Sequence, residues 1–300
     1  MSLIGAHELL EDARKRRYAV GYFEAWNLES ICAIVRAAEL ARSPVMTGFC
    51  GEYLANPKRP FKQDLALHAT LANMVAQSAS VPVATLLNEC VDMSVAYRGV
   101  SAGFSMVMFV SEAMAIEELA ARTKTLVEFA HACDVAVEAE VGNLGLADQS
   151  TRKQRQGWLT DPRQAAEFVQ KTGIDALAVS VGNVHFLEGQ KAHLDLNLLE
   201  ELHREVPVPL VLHGGTGVDK ADFKPAIERG IAKVNVGSSL KRAVIESERQ
   251  YFTQHDVERM NPNDVLGRGG KLDIAVQSQA ALIDEVLSYI RAFGGENQAN

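Results

Sequence analysis

Eight short runs rich in Val, Ala and Ile recur along the chain, each parted from the next by a longer stretch with helical spacing of its apolar residues. They are YAVGYFEAW (18–26), PVMTGFC (44–50), PVATLLNE (82–89), FSMVMFV (104–110), VAVEAEVG (135–142), ALAVSVGN (176–183), PLVLHGG (209–215) and AKVNVGS (232–238). A strand covered on both faces has no polar side to show, so it reads as an unbroken apolar run. Alternation of such runs with helices implies a parallel sheet. LESICAIVRAAELAR, LALHATLANMVAQSA and AIEELAARTKTLVEFAHACD supply helices in the intervals. Thr160-Asp161-Pro162 ahead of RQAAEFVQKTG predicts a helix that starts with Pro in its first turn and closes at Gly173. Eight such units close most simply into an α/β (βα)8 TIM barrel. A doubly wound open sheet is the alternative, but no G-x-G-x-x-G opens the first unit.

No internal repeat, Pro-rich linker or low-complexity segment interrupts this order. The 300 residues are therefore expected to form a single barrel domain with a C-terminal helical extension over about 239–300. Within it, helices are expected over 239–255 and 277–293, packed beyond the barrel or against a second subunit. GNLGLADQSTRKQRQGW (142–158) is long, polar and glycine-containing, the composition of a lid. The net charge of −8, with no basic stripe, excludes a nucleic-acid or anionic-membrane surface as the expected partner. Cys32, Cys50, Cys90 and Cys133 form no C-x-x-C, which suits reduced thiols in a cytoplasmic protein. The N-terminus reads as an amphipathic helix without a signal segment, and no apolar run reaches the roughly 18 residues of a spanning helix.

Sites in such barrels lie at the C-terminal ends of the strands. There the apolar runs stop repeatedly in polar residues: Glu24 and Asn27, then Asn88, Glu89 and Cys90, then Glu138 and Glu140, then Asn183 and His185, then His213, then Asn235, Ser238 and Ser239. Packing alone gives no reason for that pattern. His185 and His213 end adjacent strands, so their imidazoles can converge on one metal, with Glu89 and Glu140 as oxygen donors. The bland alternative is that each His hydrogen-bonds a neighbouring carbonyl. His7, His68, His131, His193, His203 and His255 lie on helical or loop patterns and are assigned packing or surface roles. Gly214-Gly215-Thr216 and Gly237-Ser238-Ser239 follow the last two strands, a recurring phosphate position in these barrels.

Taken together, these segments resemble the class II, metal-dependent ketose-bisphosphate aldolases, nearest the fructose/tagatose-bisphosphate branch. The resemblance runs nearly end to end, through YAVGYFEAWNLESICAIVRAAELARSPV, VEAEVGNLG, LTDPRQAAEFVQKTGIDALAVSVGNVH, VPLVLHGGTGV, GIAKVNVGSSLK and FGGENQ. It implies a (βα)8 barrel, a homodimer or homotetramer, a divalent metal (zinc being the usual one) and reversible aldol cleavage of a sugar phosphate through a metal-stabilised enediolate. It further implies that His185 and His213 are metal ligands, with Glu140 close to the metal. Asp148 would handle the carbon-bound proton. Gly214, Gly215, Thr216, Asn235, Gly237 and Ser238 would hold phosphate.

The departures from the family fall on the chemistry. Where the family has Leu-Asp-His, this chain has Leu87-Asn88-Glu89. Asn88 cannot exchange a proton, and Glu89 can serve either as the third metal ligand or as a base. Glu24 is an added carboxylate that makes the mouth more acidic, and Phe109 and Phe186 suggest a smaller or less polar substrate. The leading expectation is a divergent metal-dependent carbon–carbon lyase acting on a ketose phosphate or related keto compound. Two alternatives stand beside it: an enediolate isomerase or epimerase with Glu24 or Glu89 as base, and a catalytically silent homologue serving as a binding subunit.

Overall fold

The computed structural model describes residues 2–111, 113–142, 159–183 and 192–299. Its eight strands are β1 (Val20–Glu24), β2 (Val45–Cys50), β3 (Val83–Cys90), β4 (Met106–Phe109), β5 (Ala136–Val141), β6 (Ala176–Val179), β7 (Leu210–Leu212) and β8 (Ile231–Val236). They pair in parallel in chain order, and β8 returns to β1, closing the barrel. Each of the eight apolar runs coincides with one strand, β3 and β8 passing the run's bounds by one residue, as burial on both faces requires.

Period 2 along each strand divides the core in two. Tyr22, Met46, Ala84, Leu86, Met106, Met108, Ala136, Ala176, Ala178 and Val211 fill the barrel interior. The alternate residues, such as Phe23, Leu87, Val107, Leu177 and Val234, face the surrounding helices. Helix α1 (Ala6–Arg16) adds Ala6, Leu9, Leu10 and Ala13 to the interior cluster, so it closes the N-terminal end of the barrel. Phe109 belongs to the outer layer, with Val107. The expectation that it narrows the substrate space is therefore corrected: the inward positions on that strand are Met106 and Met108.

The helices are α2 (Leu28–Ala41), α3 (Gly51–Ala55), α4 (Leu65–Ser78), α5 (Met93–Ser101), α6 (Ile116–His131), α7 (Pro162–Thr172), α8 (Leu196–Glu205), α9 (Lys220–Ile227), α10 (Ser238–Gln254), α11 (Pro262–Val265) and α12 (Ile274–Ala292). The start and stop signals of α7 act as expected: the Asp161 side chain accepts from Gln164 N–H, and Gly173 ends the helix at φ 73°. Asn27, expected near the site, instead forms a reciprocal cap on α2 with Ser30. The C-terminal helix α12 packs on α2 and α10 of its own chain. Beyond it, Phe293 stacks on Phe23 at 6.4 Å. Among the described residues no helix is long and apolar enough to cross a membrane.

Candidate active site

A bulge in β3 shapes the mouth. The pairing of β3 with β4 shifts between Leu87 and Cys90, and Glu89 sits at φ 52°, a left-handed conformation uncommon for a side chain of its size. Consecutive residues of a regular strand point to opposite faces. Here Asn88 and Glu89 both line one cavity of about 500 Å³, while Cys90 is sealed in the outer layer. Bulges at barrel rims re-aim side chains in this way.

His213 follows β7 directly and is 1% exposed. Its Nε2–H donates to Glu138 Oε1 at 2.9 Å, and Lys233 Nζ donates to Glu138 Oε2 at 2.6 Å. Glu138 and Lys233 are both fully buried. Burial raises the Glu138 carboxyl, but the Lys233 charge and the His213 hydrogen bond prevail and hold it below the usual carboxylate range. With a carboxylate on Nε2, the proton is fixed there and Nδ1 faces the mouth. Nδ1 lies 3.5 Å from Glu89 Oε1. Burial disfavours the imidazolium, yet the hydrogen bonds with Glu138 and Glu89 push His213 up to about 9. The Asn235 amide stands 3.0 Å from Nε2, and Asn183 Nδ2 donates to the His213 carbonyl at 3.0 Å. Asn183 itself lies beyond the end of β6, not on it as expected, and serves as this brace.

The second oxygen of Glu89 accepts from the Cys50 thiol at 3.6 Å. Glu24, the last residue of β1, pairs with Lys241 of α10. Burial raises the Glu24 carboxyl and Lys241 counters it, so the added acidity expected from Glu24 is offset by its own cation. The Lys241 ammonium also lies 5.0 Å from the Tyr53 ring centroid.

Across the mouth, the glycine loop after β7 meets the start of α10. Gly214 adopts φ 67°, and a short 3₁₀ turn follows over Gly215–Gly217. A Cβ on Gly215 would stand 2.6 Å from Val234 Cγ1 and 2.9 Å from the Asn235 carbonyl oxygen, so the close approach to β8 requires glycine. Thr216 Oγ1 accepts from Ser239 N–H at 3.3 Å, tying the two loops together. Gly237 at the N-cap brings no side chain of its own, so among the described residues only the Ser239 N–H of the first turn of α10 is taken by a side chain, and the helix N-terminus faces the cavity. Uncapped N–H groups and the helix dipole favour an anion there.

Of the residues expected at the site, Glu24, Asn88, Glu89, His213, Gly214, Thr216, Asn235, Gly237 and Ser238 line the cavity. Gly215 packs behind it on β8. Glu140 stands on β5 two residues beyond Glu138 and acts electrostatically on His213. Asp148, His185 and Phe186 lie outside the described residues, as does most of the expected lid. Tyr22, Lys233 and Lys241 also belong to the site, although no motif in the sequence marks them. For the first two the signal was parity: each lies two residues before an inward polar residue, Glu24 and Asn235 respectively.

Two ligands on a tetrahedral zinc with bonds of about 2.0–2.2 Å stand about 3.3–3.5 Å apart. The 3.5 Å between His213 Nδ1 and Glu89 Oε1 matches that spacing, and the Glu138 carboxylate behind Nε2 is the usual support for a ligating imidazole. Among the described residues no group of three His, Cys, Asp or Glu forms a complete set. The residues present fit a cation at two of its positions.

A closed parallel barrel with a His–carboxylate cluster and an anion-ready helix start at its C-terminal mouth is a TIM-barrel protein with the layout of a catalytic site. The family model described as class-II fructose-bisphosphate aldolase matches residues 5–298, and the chain belongs to that family. It is 34% identical over 306 residues to a sulfofructosephosphate aldolase of Alkalicoccus urumqiensis, covering all of this chain and 99% of that protein. It is 33% identical over 302 residues to a probable fructose-bisphosphate aldolase of Bacillus subtilis (strain 168), covering both chains fully. The crystal structure of the YdjI aldolase from Escherichia coli K12 superposes with a TM-score of 0.82 at 30% identity, covering 99% of this chain and 100% of that one.

Proposed function

We propose that the chain is a metal-dependent carbon–carbon lyase that cleaves, reversibly, the aldol bond of a ketose phosphate or a related keto compound. The observation that carries this reading is the environment of His213: Glu138 holds one ring nitrogen from beneath, and Glu89 stands a ligand–ligand distance from the other. Glu89, His213 and His185 would hold the cation, zinc being the expected one, with Glu140 nearby. When bound, the cation supplies the positive charge that polarises a ketose carbonyl and offsets the charge that cleavage leaves on its oxygens.

The chain's own groups do the remaining work. The loop residues Gly214, Thr216, Gly237 and Ser238 hold the phosphate through backbone N–H groups and hydroxyls, helped by the α10 dipole. Asn88 and Asn235 orient hydroxyls but exchange no proton. With Glu89 engaged as a ligand, Glu24 is the carboxylate that exchanges the hydroxyl proton, and Asp148 handles the carbon-bound proton. The names of the relatives agree with a sugar-phosphate substrate.

The test uses zinc-supplied protein and a panel of ketose mono- and bisphosphates. Release of an aldehyde together with an equal amount of a three-carbon ketose phosphate is expected for one member. Solvent deuterium incorporation without any aldehyde contradicts the lyase and supports an isomerase or epimerase. Phosphate-ester binding without turnover or exchange supports a silent binding homologue.

A further inference from the structure

The mouth cavity contains polar atoms that the protein itself leaves unsatisfied. Tyr22 is 1% exposed, points into the barrel from β1, and lines the cavity, yet its hydroxyl has no hydrogen-bond partner among the described residues. The same holds for Asn88 Oδ1 and for the free end of the Asn235 amide, and both side chains line the same cavity. Asn235 is the strand partner of Tyr22 in the β1–β8 pairing. A buried phenol without a partner is a net cost that a phenylalanine would not carry. Apart from Tyr18, whose hydroxyl donates to Asp12, the buried interior cluster around it is made of Val, Ala, Leu and Met, which a phenyl ring would suit equally well.

The surroundings say what the phenol can do. Lys233 Nζ lies 5.2 Å from the Tyr22 ring centroid and is engaged with Glu138, so it does not serve the hydroxyl. Burial first, then the nearby Glu24, Cys50, Glu89 and Glu138, push the phenol well above its ordinary range. It therefore stays protonated and is a donor. The amide oxygen of Asn88 is an acceptor only. A ligand that satisfies both must offer an oxygen to one and a hydroxyl proton to the other.

We propose that Tyr22 is a substrate-recognising residue that, with Asn88 and Asn235, selects ligands carrying a free hydroxyl beside the carbonyl, an α-hydroxyketone. The phenol donates to the hydroxyl oxygen, and the hydroxyl proton goes to an amide oxygen. Nothing covalent is involved. The inference rests on the lyase reading for the identity of the ligand, but the unsatisfied phenol stands on geometry alone.

The test compares wild type with Tyr22→Phe, which deletes only the hydroxyl. Four quantities are measured on zinc-supplied protein: thermal stability without ligand, and the affinities for inorganic phosphate, for dihydroxyacetone phosphate and for its deoxy analogue acetol phosphate. The variant is expected to melt no lower than wild type and to bind inorganic phosphate unchanged. Wild type is expected to prefer dihydroxyacetone phosphate by about tenfold or more, and the variant to lose most of that preference. A variant that keeps the full preference overturns the role of Tyr22, a trapped water then being its partner, and leaves the lyase reading intact. A fall of several degrees in melting temperature overturns it too, because the hydroxyl then holds the fold. Wild type that binds inorganic phosphate but not the two ketones overturns both this inference and the lyase reading beneath it.

Discussion

Glu138 and His213 are joined inside the barrel: the carboxylate on β5 accepts the Nε2–H of the imidazole that follows β7, at 2.9 Å, and both groups are buried. Lys233 on β8 completes the cluster from the other side of Glu138. Three strands thus fix one imidazole, and its remaining nitrogen is turned to the mouth. The consequences can be measured.

Lys233→Met leaves Glu138 as a buried charge with only a hydrogen-bonded imidazole for company. Breaking such a pair from one side costs about 3–5 kcal/mol, and replacing both members with apolar residues recovers much of it. Urea denaturation is expected to give a loss of about 3 kcal/mol for Lys233→Met and a markedly smaller one for the double variant with Glu138→Leu. Equal losses in both would mean that the pair is not the source of the effect.

In chelator-treated protein, His213 is pushed up to about 9 from an ordinary value of 6.5, chiefly by Glu138 and Glu89 against the opposing effect of burial. A raised value means that the folded state holds a proton which the unfolded state releases. The stabilisation is therefore complete below about pH 6.5 and is lost as pH rises through about 9. Unfolding free energy followed from pH 6 to 10 is expected to decline over that window and to flatten in His213→Gln. Cation binding requires the neutral ring, so calorimetry in buffers of different ionisation enthalpy is expected to show proton release on zinc uptake near pH 7.5.

Glu89 holds φ 52° at the β3 bulge, a conformation that costs a non-glycine residue about 1–2 kcal/mol. Glu89→Gly removes that cost together with the carboxylate. The variant is expected to melt within a degree or two of wild type, or above it, while zinc affinity falls by at least about tenfold. Loss of stability with zinc affinity intact would show that Glu89 serves the fold, not the site.

The glycine at 215 is a packing requirement behind the anion loop. Gly215→Ala puts a Cβ within 2.6 Å of Val234 Cγ1 and 2.9 Å of the Asn235 carbonyl oxygen. The overpacking is expected to cost about 1–3 kcal/mol and to displace the loop, weakening inorganic phosphate binding as read by calorimetry. Unchanged phosphate affinity would remove the loop after β7 from the anion site.

The barrel was legible because each strand is buried on both faces and announces itself as an apolar run, and helix punctuation such as Asp161-Pro162 and Gly173 is local chemistry. Much of the mouth was legible too, because polar residues ending apolar strands have no packing explanation. Three things were hidden. The bulge that turns Asn88 and Glu89 to one side is a matter of register between β3 and β4, which no residue type marks. Phe109 faces outward because of strand parity, which a run of consecutive apolar residues conceals. The Glu138–Lys233 pair joins residues 95 positions apart, and only closure of the barrel brings β5 and β8 to a shared interior. Asn27 shows the opposite error: a polar residue after a strand proved to be a helix cap.

Metal content tests the account most directly. Protein purified without chelator and analysed by inductively coupled plasma mass spectrometry is expected to carry close to one divalent cation per chain, falling steeply in His213→Ala. Less than a tenth of an equivalent in wild type, neither restored by added zinc nor changed by His213→Ala, would contradict the account.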